Sequence, residues 1–156
     1  MEAFTYSTRG LVNYTNQLGR FVHYGYDAAR RQTLETNANN EVLQYKYDPA
    51  GNLTNLLDGK LQSTFWGFDQ FGRLTSKTNA ASVEVLRYQY DANDRLTNRW
   101  TTAKGNTAYS YDNAGKLTAV DYANSTDTSF QYDALNHLTN MVDAAGTTRF
   151  TFSKVA

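Results

Sequence analysis

Pairs of aromatic residues separated by one other residue recur along the chain. They fall at Phe4 and Tyr6, Tyr24 and Tyr26, Tyr45 and Tyr47, Trp66 and Phe68, Tyr88 and Tyr90, Tyr109 and Tyr111, Phe130 and Tyr132, and Phe150 and Phe152. The second aromatics are spaced by 20, 21, 21, 22, 21, 21 and 20 residues. An i, i+2 pair of large rings is the period of a β-strand, not of a helix. Asp follows the second aromatic at Asp27, Asp48, Asp69, Asp91, Asp112 and Asp133, with Ser7 and Ser153 in its place at the two ends. Three residues later come Gly10, Arg30, Gly51, Gly72, Asp94, Gly115 and Asn136. A basic residue is often next (Arg31, Arg73, Arg95, Lys116), then a mostly aliphatic one (Leu53, Leu74, Leu96, Leu117, Leu138), then Thr.

The unit therefore reads Tyr-x-Tyr-Asp-x-x-Gly-Arg-Leu-Thr. Asp bonds the backbone ahead of it, and Gly51, Gly72 and Gly115 accept the left-handed conformation that closes the turn. Asp94 and Asn136 are the next residues able to adopt it. Arg30 fits poorly, and strain or a wider loop is expected there. A type I turn closed by a left-handed residue makes a three-residue hairpin loop. That loop pairs Asp69 with Arg73 and Phe68 with Leu74. Simple alternation then places the two aromatics and Leu of each unit on one face. Asp, Arg, Thr and the residue between the aromatics (Lys46, Gln89, Gln131) take the other.

Each hairpin leads into a second turn-like stretch, at residues 37–40, 58–59, 79–82, 102–105, 124–125 and 143–146. The expected architecture is all-β: tandem hairpin repeats of about 21 residues forming one continuous, curved or spiralling antiparallel sheet. Two strands in each of seven units plus one at Phe150–Phe152 make about 15. The whole of 1–156 is expected to be a single β domain of about seven units plus a terminal half-unit. The partial last repeat reads as an excerpt, or as an end completed by another copy.

Composition narrows the functions. Fifteen basic residues balance 15 acidic ones, so no electrostatic field points to nucleic acid. There is no Cys, which excludes a disulfide framework, a zinc–thiolate site and a Cys nucleophile. No apolar run approaches the ~20 residues of a membrane helix, and one Leu per repeat is too little for a lipid-facing β band. No secretory signal opens the chain. Leu, Val and Phe are sparse and Ile is absent, while 22 residues are aromatic (12 Tyr, 8 Phe, 2 Trp). The core is therefore expected to be tyrosine, with rings packed on one another.

The row of Asp residues does not form a calcium site. Equivalent positions lie two strands apart, roughly 9–10 Å, and calcium holds its oxygens at ~2.3–2.6 Å. His23 and His137 lack metal-ligand spacing, and no phosphate loop or nucleophile elbow is present. The expectation is no enzyme, no metal and no cofactor.

The unit closely resembles the YD repeat of the Rhs family. The clearest matches are Tyr45–Thr54, Trp66–Thr75 and Tyr109–Thr118, and the likeness runs through essentially the whole chain. Units Tyr6–Asn13 and Tyr26–Thr33 depart most. The resemblance implies long β strips that spiral into hollow shells enclosing toxins, or related strips in teneurin adhesion proteins. It implies a non-enzymatic structural scaffold, extracellular or at a bacterial-type cell surface. The implied partners are the chain itself or the rest of a longer Rhs-type chain, with an enclosed polypeptide cargo. The family's self-cleaving segment contains Asp-Pro-x-Gly-Leu; here Asp48-Pro49-Ala50-Gly51 is followed by Asn52 and reads as an ordinary turn. Two alternatives stand beside the scaffold. One is a self-assembling extracellular filament or tube joined through open edge strands at Phe4–Tyr6 and Phe150–Phe152. The other is a cell-surface module binding glycan or protein through Tyr and Trp. None of the three involves nucleic acid or membrane insertion.

Overall fold

The computed structural model describes residues 1–152; Ser153, expected to take the Asp position, lies outside them. Every regular element among the described residues is a strand, and the order of strands in the sheet is their order in the sequence, antiparallel throughout the pairings. Two compact units divide the chain, Met1–Glu84 and Val85–Ala156. The first carries β1 (Ala3–Ser7), β2 (Gly10–Thr15), β3 (Phe21–Tyr26), β4 (Gln32–Asn37), β5 (Val42–Tyr47), β6 (Leu53–Leu57), β7 (Ser63–Phe68) and β8 (Leu74–Thr78). The second carries β9 (Glu84–Tyr90, from its second residue), β10 (Leu96–Thr101), β11 (Gly105–Tyr111), β12 (Leu117–Tyr122), β13 (Thr128–Tyr132), β14 (Leu138–Asp143) and β15 (Gly146–Arg149). The fold is thus the expected all-β tandem-hairpin sheet of 15 strands.

The Asp turns are built alike. The Asp27 N–H donates to the Arg31 carbonyl at 3.0 Å and Arg30 N–H returns to the Asp27 carbonyl at 3.1 Å. The same two bonds close the turns that start at Asp48, Asp69, Asp91, Asp112 and Asp133. The fourth residue is left-handed in each, from Asp94 at φ 62° to Gly51 at φ 95°. Arg30 does not widen its loop. It takes the same left-handed conformation at φ 63°, a strained one for a residue with a Cβ.

In the first unit the opposite turns use the same device. Asn16, Asn37, Asp58 and Asn79 each accept backbone N–H bonds from residues two and four ahead, and Gly19, Asn40, Leu61 and Ser82 are left-handed. Leu61, at φ 61°, has no side-chain bond to favour that conformation and is 79 % exposed.

The expected pairing of the second aromatic with the aliphatic position holds at Tyr47↔Leu53, Phe68↔Leu74, Tyr90↔Leu96, Tyr111↔Leu117 and Tyr132↔Leu138. Simple alternation beyond it does not. The register shifts by one residue directly after that pair in each Asp-turn hairpin, leaving Thr33, Thr54, Thr75, Thr97, Thr118 and Thr139 without a partner opposite. Thr is thus the extra residue of a β-bulge. The first aromatic consequently faces the residue three after the aliphatic position, not two: Tyr45↔Leu56, Tyr109↔Val120 and Phe130↔Met141.

The last strand also differs from expectation. It is Gly146–Arg149 and not Phe150–Phe152, because Asp143 pairs directly with Gly146 across a two-residue turn. Phe150 extends the pairing through one bond, its N–H to the Thr139 carbonyl at 2.8 Å.

Neither face of the sheet is sealed. Among the described residues Val120 is the buried apolar side chain, and Asn55 and Thr107 are the buried polar ones. Hydrogen-bonded ladders and half-buried rings, not a sealed core, hold these strands.

Replacing Leu61 by Gly removes a left-handed strain of about 1–2 kcal/mol and adds about 0.5–1 kcal/mol of chain entropy to lose. Leu61→Gly should therefore raise stability by roughly 0.5–1 kcal/mol, read as a higher urea midpoint, and Arg30→Gly should act in the same direction.

Candidate functional site: an interlocked row of turns

Each Asp carboxylate organises its own turn and also points outward from it. Its Oδ1 accepts backbone N–H bonds from residues two and four ahead at Asp27, Asp69, Asp91, Asp112 and Asp133. Its Oδ2 takes the basic side chain four residues on: Arg31, Arg73 and Arg95 each at 2.7 Å, and Lys116 at 3.2 Å. His137 fills that place for Asp133 at 3.0 Å, and the Asn52 amide donates to Asp48 at 2.9 Å. The segment Asp48–Asn52 is therefore a turn like the others.

The basic side chain then leaves its repeat. Arg31 donates from Nη1 to the Asp48 carbonyl at 3.0 Å and lies 4.8 Å from the centre of the Tyr47 ring. Arg95 reaches the Asp112 carbonyl at 3.3 Å and lies 4.7 Å from Tyr111. Lys116 donates to Asn136 Oδ1 at 2.6 Å, with its Nζ 5.3 Å from Tyr132.

The tyrosine reached in this way bonds back. Tyr26, Tyr47, Tyr111 and Tyr132 donate their hydroxyls to the carbonyls of Leu11, Gln32, Leu96 and Leu117, at 2.9, 2.7, 2.8 and 2.9 Å. Each acceptor is the residue that faces the second aromatic of the preceding hairpin, 15 residues earlier. A cation pointing forward and a hydroxyl pointing back clamp successive repeats. Each contact is small, about 0.5–1.5 kcal/mol for the hydrogen bond and about 0.5–1 kcal/mol for an exposed cation over a ring. Their effect comes from repetition along a nearest-neighbour array.

The ladder residues split into two groups. Phe4, Tyr6, Phe150 and Phe152 are exposed, and the twelve between them are half-buried. Tyr88 and Tyr90 approach at 6.4 Å between ring centres, and Phe4 meets Tyr14 at 5.0 Å. Other rings meet cations, as above, and Trp66 lies 5.8 Å from Lys77 Nζ. Burial, and then the nearby Glu35 carboxylate, raises the hydroxyl pKa of Tyr24 and Tyr45. The residues opposite the first aromatic, Glu35, Leu56, Lys77, Arg99, Val120 and Met141, were not singled out by the repeat motif. Their one available signal is the spacing of three after the aliphatic position. Among the described residues no cluster of three or more His, Cys, Asp or Glu could hold a metal.

Antiparallel hairpins clamped in series through turn and ring define a tandem β-hairpin repeat protein. The RHS Repeat family model matches residues 6–42, 68–99, 90–127 and 114–148, and the chain belongs to that family. No curated protein matches. Among solved structures, TcdB2-TccC3 without its hypervariable C-terminal region superposes with a TM-score of 0.71 at 16% identity, over 98% of this chain and 10% of that one. TcdB2-TccC3-TEV gives 0.68 at 17% identity, over 97% and 10%. A Photorhabdus luminescens Tc holotoxin pore carrying a TccC3 mutation gives 0.65 at 16%, over 96% and 9%. The chain spans about a tenth of the length of these structures and shares their fold.

Phe68 holds the repeat position of the bonding tyrosines, 15 residues after Leu53. Phe68→Tyr should add the missing bond and stabilise by about 0.5–1 kcal/mol, while Tyr47→Phe should lose about 1 kcal/mol. Paired urea titrations of the two variants check both signs.

The turn carboxylates also set an acid limit. The backbone N–H four residues on is the largest influence lowering the pKa of Asp27, Asp91, Asp112 and Asp133, and the Asn52 amide is the largest for Asp48. At Asp69 partial burial pushes upward and is outweighed by the bonds from Arg73. Carboxylates depressed in the folded state bind protons more readily unfolded, where Asp titrates near 4. Stability should hold above about pH 5 and fall as pH drops below about 4. Unfolding midpoints across that range test the sign.

Proposed function

We propose that this chain is a segment of a non-enzymatic β-sheet wall, a structural scaffold that encloses or supports a polypeptide. The observation that carries this reading is the clamp between successive hairpins. It repeats one set of contacts along the turns. Such an array suits a surface held in place over a distance. Membership of the RHS Repeat family and the fold shared with Tc toxin-complex chains support it. The sixteen ladder aromatics and the turn residues are then the wall's structural positions, with 1–156 acting as one repeat domain. The rest of a longer chain of the same repeat is the partner in this reading, with polypeptide as cargo and an extracellular or cell-surface setting. Glycan stacking receives less support: Trp66 and Trp100 are half-buried, and Lys77 and Arg87 lie 5.8 and 5.7 Å from their rings.

Electron microscopy of the purified chain across a concentration series tests the proposal. Discrete particles of unchanging size are expected. Filaments or tubes of constant width would replace the wall with self-assembly through the edge strands.

A further inference from the structure

The ladder face of the second unit holds a feature that the clamp does not use. Arg99 on β10 sits opposite Tyr88, where the equivalent residues of other repeats include Leu56, Val120 and Met141. Its other neighbour across the strands is Thr107, which in turn faces Tyr122. Arg99, Thr107 and Tyr122 therefore form one row across β10, β11 and β12. Two turns flank that row, one bringing Lys104 and the other Asn124 and Ser125. Together these residues line a cavity of about 390 Å³.

The polar groups of this cavity are incompletely matched. The Arg99 Nε is buried and has no hydrogen-bond partner, alone in this among the described side chains. Thr107 is 4 % exposed. Neither Arg99 nor Lys104 has a carboxylate within ion-pair distance among the described residues, whereas the turn bases Arg31, Arg73, Arg95 and Lys116 each have one. Two unpaired cations and several hydroxyl and amide groups thus converge at a place that Leu56, Val120 and Met141 fill with apolar side chains in three other repeats. The corresponding cavity of the first unit carries the opposite charge. It is lined by Glu35, at the position equivalent to Arg99, and by Glu41 and Asp58 with Lys60.

We propose that the Arg99–Thr107–Tyr122 cavity binds a carboxylate, specifically an Asp or Glu side chain of a polypeptide lying against the ladder face. An unpaired buried guanidinium N–H calls for an acceptor. The planar guanidinium holds Nε–H beside an Nη–H, the fork that a carboxylate meets with two parallel bonds. Lys104 adds a second positive charge at the rim, and Thr107, Asn124 and Ser125 offer polar groups around the same space. This deepens the wall reading by naming the chemistry of what the wall holds, and it rests on that reading for the identity of the polypeptide.

Side-chain ¹⁵N NMR of the full chain tests it directly, following the Arg99 Nε–H signal. Three probes are titrated: a short acetylated and amidated Glu-rich peptide, its Gln counterpart, and inorganic phosphate. The Glu peptide should shift the signal saturably, and the Gln peptide should not. Lys104→Gln, in an exposed turn, should weaken the Glu peptide about tenfold, and Arg99→Met should abolish saturable binding with the strand content unchanged by circular dichroism. Lys60→Gln at the acidic cavity should leave binding as it was. No saturable shift, equal response to the Gln peptide, response to phosphate alone, or unaltered binding in Lys104→Gln would each overturn the site. Filament formation in microscopy would remove the wall while leaving this binding result intact, so the two failures are distinguishable.

Discussion

The bond between a tyrosine hydroxyl and the backbone carbonyl one hairpin earlier ties the hairpins of this structure in series. A two-stranded hairpin is at best marginal in water, and this sheet supplies almost no sealed core to help it. The ladder tyrosine supplies what the core lacks. Its ring covers apolar surface and accepts a cation on one face, while its hydroxyl reaches a carbonyl of the neighbouring hairpin. Phenylalanine can do the first and not the second. That difference gives Tyr26, Tyr47, Tyr111 and Tyr132 a role that Phe could not fill.

The turn carboxylate is the other half of the device. It fixes its loop through two backbone N–H bonds and, through its second oxygen, holds the base that reaches the next repeat. An Asp–Arg pair on a surface contributes little by itself. Here its value is positional: the guanidinium is held at the place where it can meet the next ring and the next carbonyl. The variants within the row follow the same logic. Asn52 satisfies Asp48 without charge, and His137 satisfies Asp133 while stacking on Phe152 at 4.5 Å.

Strand identity, the three-residue loops and the pairing of ring with aliphatic were legible because each has a side-chain signature at fixed spacing. The bulge was not. Thr is a good strand residue, so Leu53-Thr54-Asn55 reads as simple alternation, and only the pairing of Leu56 with Tyr45 exposes the extra residue. Leu56, Val120 and Met141 carry that signal, but Glu35, Lys77 and Arg99 occupy the same place and erase it as a hydrophobic pattern. The tyrosine–carbonyl bonds were hidden for a different reason. Their acceptors are backbone atoms, which every sequence possesses, so only the geometry of adjacent hairpins selects them. Leu61 was hidden too, because a residue with no turn preference is held left-handed by the Asp58 loop around it.

The position opposite the first aromatic links scaffold to function. The clamp uses the second aromatic, the Asp, the base and a backbone carbonyl, and none of these is the residue facing the first aromatic. That residue can therefore be Leu, Glu, Lys or Arg without breaking the chain of contacts between repeats. It nevertheless lies on the ladder face, beside rings that are only half-buried. A repeat of this kind separates the residues that maintain the sheet from those that set the local chemistry of its surface. Glu35 and Arg99 show the extent of that freedom: equivalent places in the repeat, opposite charges, and the same hairpin beneath them.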